Sequence, residues 1–152
     1  MHLLSRVLPL CLLLFFSCGS GGALTPAESF NIIKSAVEKN DSEVIAANLT
    51  ESSMAKINKH NLLIKEMKSE QLGFISSKYG YPVEKLRNLK ISEAVALYFF
   101  SDVTDIKLSR FFKESIVSID VRGDRASVKT ESGIELDFQR EGPYWKFDMS
   151  SL

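Results

Sequence analysis

The stretch IVSIDVRGDRASVKTESGIELDFQREGPYWKFDM, Ile116 to Met149, decides the fold. Val117, Ile119 and Val121 alternate with Ser118, Asp120 and Arg122, and after Gly123-Asp124 the alternation resumes with Ala126 and Val128. Ser132-Gly133 leads into Ile134, Leu136 and Phe138, and Glu141-Gly142-Pro143 into Trp145, Phe147 and Met149. Apolar residues at every second position, bounded by glycine-containing turns, predict a four-strand antiparallel meander with one face buried and one wet. The chain upstream of residue 115 reads as helical, and its expected task is to cover the apolar face of that sheet. The fold class is therefore α+β, a helical N-terminal half packed on a C-terminal meander.

Working outward, the composition is that of a single globular domain. The chain has 152 residues, 45% apolar and 25% charged, with 19 basic and 19 acidic side chains. Removing residues 1–17 takes Arg6 and no acid, leaving 18 basic against 19 acidic groups. No basic field exists to hold nucleic acid, so no nucleic-acid partner is expected.

The amino terminus reads as an address. Arg6 precedes the hydrocarbon run Val7 to Phe16, which ends in Ser17-Cys18-Gly19-Ser20-Gly21-Gly22-Ala23. A basic start, a short apolar run and a small-residue finish form an export signal. The run is about half the roughly 20 residues needed to span a bilayer. Ser17-Cys18 with the small residues that follow resembles the lipobox of bacterial lipoproteins, with Phe15 where that pattern usually carries Leu. The resemblance implies a signal peptide over 1–17, a lipid on Cys18 anchoring the chain to a membrane, a flexible tether over 18–24 and a single domain over 25–152. Two other readings compete: cleavage after Ala23, giving a secreted protein, and an uncleaved anchor. Cys11 leaves with the signal, so the exported domain has no internal disulfide and no cysteine-based metal or nucleophile chemistry.

Thr25-Pro26-Ala27-Glu28 opens a capped helix with Phe30, Ile33 and Val37 on its core side. Asn40-Asp41 ends it and caps a short second helix, Ser42 to Leu49. Thr50 to about Ser77 reads as one long helix with the stripe Met54, Ile57, Leu63, Ile64, Met67 and Leu72. Tyr79-Gly80-Tyr81-Pro82 breaks it, and short helical segments follow over Val83 to Leu89 and, capped by Ser92, through Phe100. One or two helical turns over Asp105 to Lys113 precede the meander.

Pro26, Phe30, Ala36 and Asn40-Asp41, with the Gly123 to Val128 turn and strand and the closing Trp145-Lys146-Phe147-Asp148, resemble a group of small bacterial lipoproteins. That group shares the cystatin-like cone fold of the nuclear-transport-factor, SnoaL and ketosteroid-isomerase superfamily. The resemblance implies helices on the concave side of a bent sheet, and it covers only the two ends of the domain. It implies little about activity, since this superfamily holds enzymes and binders alike.

An isomerase or dehydratase in such a cone needs a general base and an oxyanion donor that converge. Tyr98, Asp102 and Asp105 are the catalytic candidates, with Tyr79, Tyr81 and His60 behind them. His60, the only histidine beyond the signal, sits among Lys59 and Asn61 and reads as solvated. Trp145 reads as a core anchor of the last strand. No phosphate loop, nucleophile elbow or HExxH motif is present, so no cofactor or metal is expected. The leading expectation is a non-catalytic, membrane-tethered envelope domain that binds a small apolar ligand or an envelope protein. The alternatives are a cone-fold enzyme using Tyr98 with Asp102 or Asp105 on a hydrophobic substrate, and a dimerising module built on the outer sheet face.

Overall fold

The computed structural model describes residues 22–101 and 107–150. Seven helices precede four strands: α1 Pro26–Lys39, α2 Ser42–Ala47, α3 Glu51–Glu66, α4 Ser69–Tyr79, α5 Val83–Arg87, α6 Ile91–Phe100, α7 Leu108–Phe111, then β1 Ile116–Arg122, β2 Arg125–Thr130, β3 Glu135–Glu141 and β4 Tyr144–Phe147. The strands pair in chain order, each antiparallel to its neighbour. The chain is thus α+β, with a helical N-terminal half and a four-strand meander.

Local chemistry explains the element ends. The Thr25 hydroxyl accepts from the Glu28 N–H at 3.1 Å, and the Glu28 carboxylate accepts from the N–H groups of Leu24 and Thr25. This reciprocal box satisfies N–H groups that helical bonding leaves open. Asn40 closes α1 in the left-handed region at φ 54°, and Asp41 Oδ1 accepts from the Val44 N–H to open α2. The three hairpin turns place Gly123, Gly133 and Gly142 at positive φ, where a side chain would be strained.

The long helix expected over residues 50–77 is two helices. Met67 and Lys68 are extended, and the Lys68 N–H donates to Gln71 Oε1 at 3.1 Å to start α4. Turning there lets Leu72 pack with Leu86, Leu89 and Leu97 in a second, smaller core. Leu63, placed in the stripe by its spacing, is exposed instead. α6 begins at Ile91 with Lys90 as its cap rather than Ser92, the Glu93 carboxylate accepting from the Lys90 N–H.

The main core lies between α1, α2, α6 and the sheet. Phe30, Phe99, Phe112, Phe138 and Phe147 are fully buried there, with neighbouring ring centroids 5.1–6.2 Å apart. Side chains of this size contribute about 1.5–3 kcal/mol each by burial alone. Trp145 is buried in the same cluster, as its alternation required.

The two edges of the sheet differ. On β4, the Phe147 N–H donates to Asn48 O at 2.9 Å and the Thr50 N–H to Phe147 O at 3.0 Å. Further along, the Trp145 N–H donates to Ala23 O at 2.8 Å, and Ala23 is only 3% exposed. A Cβ on Gly22 would stand 2.6 Å from the Tyr144 ring, so glycine permits this close approach. Gly22 and Ala23, within the segment expected as a tether over 18–24, therefore lie against β4, while Leu24 is exposed.

On β1 the expected burial fails. Val121 and Ile119 oppose Ala126 and Val128, so they point to the helix side, yet Val117, Ile119 and Val121 are 63%, 37% and 52% exposed. α1 reaches β1 as well as β2 and β4, but of β1 only Ile116 packs partly on the core. Alternation assigns a side chain to a face but cannot say how far the opposing layer extends over it.

Candidate functional site

Tyr98, of the three catalytic candidates, sits within α6 and is nearly buried in the main core. Its hydroxyl is hydrogen-bonded to His60 Nδ1 on α3, with the two rings stacked at 5.8 Å between centroids. His60 is half-buried and partnered, which corrects its reading as a solvated histidine. The neighbouring Asn61 is buried too, donating from Nδ2 to Leu89 O at 3.3 Å. Asp102 and Asp105 lie outside the described residues, as does Cys18. The hydroxyl of a buried tyrosine needs a partner whatever its role, and His60 supplies it. Tyr98→Phe is expected to cost about 0.5–1.5 kcal/mol, the net worth of one such bond. Urea unfolding reads this as a lower midpoint; an unchanged midpoint would show that the bond contributes nothing. Tyr79 and Tyr81 flank the α4–α5 turn, each with a lysine ammonium over its ring, from Lys78 and Lys85 respectively.

The outward side chains of β1, β2 and β3, with Asp148 and Ser150 beyond β4, border a groove of about 420 Å³. Its walls carry both signs of charge: Arg122, Arg125 and Lys129 against Asp120, Glu135 and Asp137. Arg122 pairs with Asp120 at 2.5 Å and Lys129 with Glu135 at 4.0 Å, both exposed to solvent. Exposed pairs of this kind are worth little to stability.

Asp148 has a second task at the rim. Its Oδ1 accepts from the hydroxyls of Thr50, Ser52 and Ser53 at 3.1–3.3 Å and from the Ser150 N–H at 3.1 Å. Partial burial works against its charge, but the bonds from Ser150, Thr50 and Ser53 outweigh it and hold the carboxyl below the usual aspartate range. Glu141 Oε1 accepts from the Glu51 N–H at 2.7 Å in the same place. Two carboxylates, Glu141 at the end of β3 and Asp148 just past β4, thus sit at the positive N-terminal end of α3. Sequence reasoning missed both, because nothing local ties residues 141 and 148 to residues 50–53.

Among the described residues no group of three or more His, Cys, Asp and Glu side chains is placed to hold a metal ion. No helix among them is long and apolar enough to cross a membrane. Comparison with protein-family models, with curated proteins and with solved structures finds no match to this chain.

Proposed function

We propose that the chain is an exported cell-envelope lipoprotein, tethered through a lipid on Cys18, whose domain binds a protein partner without catalysing a reaction. The observation that carries this reading is the packing of Gly22 and Ala23 on β4. Cleavage after Ala23 would remove a buried residue and the acceptor of the Trp145 N–H, a bond worth about 0.5–1.5 kcal/mol. Processing at Cys18 keeps that contact. A short tether ending on β4 also holds the sheet close to the anchoring surface. The partner is taken to be a protein because the space between helices and sheet is filled by phenylalanine side chains, while the groove outside is polar.

Cells expressing the full chain, labelled with an alkyne fatty acid, test the anchor. The native chain is expected to carry label and sediment with membranes, its mature form beginning at Cys18 by mass spectrometry. Cys18→Ala is expected to lose the label completely. A mature chain beginning at Leu24, or label that survives Cys18→Ala, rejects the proposal.

A further inference from the structure

The free edge of the sheet is β1. No described strand or segment pairs with its outer side, whereas the β4 edge is closed by Ala23 and by Asn48 to Thr50. Arg122 and Arg125 flank the two-residue loop Gly123-Asp124, and residues in that position exchange both ladder bonds. Asp120 and Ser118 follow the same parity toward β2, so Ile119 and Val121 direct their N–H and C=O groups to the open side. Unprotected edges of this kind template pairing with another chain. The usual protections are unevenly spread. A bulge between Ile116 and Ser118 disturbs the first half of β1, while Ile119 to Arg122 is regular, with no proline and no charge on the inner row.

We propose that β1 pairs antiparallel with β1 of a second copy of this chain, about a two-fold axis through Val121, extending the two meanders into one eight-strand sheet. Charge complementarity selects both the partner and the register. With Val121 opposite its own copy, each Asp120 stands opposite the other chain's Arg122, and the two pairs are identical by symmetry. Arg122 already opposes Arg125 across the β1–β2 hairpin, a like-charge contact that Asp120 of its own strand only partly offsets. A second Asp120 arriving from the far side supplies the missing negative charge. The two exposed Val121 side chains, 52% accessible in one chain alone, meet across the axis beside Ile119. A register centred on Ile119 instead would bring the bulged residues into the pairing and set Asp120 against Ser118. An interface this short falls below about 1,200 Å², so the dimer is expected to be weak and concentration-dependent.

The test uses the full chain extracted in mild detergent. A hydrogen-bonded antiparallel pair sits at about 5.5 Å between Cα atoms, inside the roughly 4.4–6.8 Å that a disulfide spans. Val121→Cys is therefore expected to give a disulfide-linked dimer on mild oxidation. Native chain and Lys39→Cys, exposed at the end of α1, set the background from incompletely processed chain and from random collision. Charge reversal gives the second readout in uncrosslinked chains. Asp120→Arg alone and Arg122→Asp alone are each expected to weaken dimerisation about tenfold by sedimentation, since each self-pair then opposes like charges. Mixing these two variants is expected to restore it, as only the mixed pair sets two arginines against two aspartates. Both sites are exposed, and circular dichroism checks that each variant folds. Crosslinking of Val121→Cys no greater than that of Lys39→Cys, or a mixture no more dimeric than its components, overturns the proposal.

Discussion

Phe147→Ala is expected to lower the free energy of unfolding by about 3–5 kcal/mol, the range for truncating a buried phenylalanine. The Phe147 ring meets Phe99, Phe112 and Phe138, so it ties α6, the segment after α7 and β3 to the last strand. Its backbone N–H and C=O both bond across the outer edge of β4, to Asn48 and Thr50. None of its neighbours can move inward without leaving another partner, so the cavity is not expected to collapse. Domains of this size are stable by about 5–15 kcal/mol in all, which places the variant near the limit of folding. Urea unfolding of the full chain measures the shift, and Phe147→Leu, which keeps most of the volume, is expected to recover more than half of it. A shift below about 1 kcal/mol for Phe147→Ala would show that the ring cluster is not the centre of the core.

Asp148→Ala is expected to cost about 1–2 kcal/mol at neutral pH, the net worth of hydrogen bonds to a carboxylate discounted for its partial exposure. The three hydroxyls and one N–H that Oδ1 accepts lose their common partner, and α3 loses a charge at its positive end. The pH dependence has a definite sign. The carboxyl is held below its ordinary value in the folded chain, so its stabilisation is fully present above the unfolded pKa of about 3.9. It is lost as pH falls through the lower folded value. Native chain and Asp148→Asn are therefore expected to differ most above about pH 5 and to converge in stronger acid. Unfolding midpoints measured across that range check it; a difference that grows toward low pH contradicts the assignment.

The meander was legible because its signals are local. Gly123, Gly133 and Gly142 mark the turns and all take positive φ, and Val128, Leu136, Phe138, Trp145 and Phe147 are buried as their alternation requires. Thr25 with Glu28, and Asn40-Asp41, fixed the ends of α1 for the same reason. The residues quoted for the cone resemblance are largely these same caps and hairpins. What escaped was set by distant parts of the chain. The break at Met67-Lys68 carries no proline or glycine and follows from where Leu72 finds its core. Val117, Ile119 and Val121 have the pattern of a buried strand, yet of β1 only Ile116 packs partly on the core. The candidate site divides along the same line. Tyr98 stands out in the sequence as a catalytic candidate, but its partner His60, and Asp148, gain meaning only once α3 lies beside α6 and the end of the last strand.

The closure of β4 by Asn48 and Thr50 also sets an order of events during synthesis. Thr50 and Asp148 are 98 residues apart, and a ribosome takes about 5–20 s to cover such a span. Through that interval α1 and α2 have emerged while β4, which supplies Trp145 and Phe147 to the cluster that holds Phe30, Ile33 and Ile45, does not yet exist. Their apolar faces can meet each other and α6, but the core stays incomplete until the final strand arrives. Shortening the chain by its last ten residues would prolong that state indefinitely rather than trim a dispensable end.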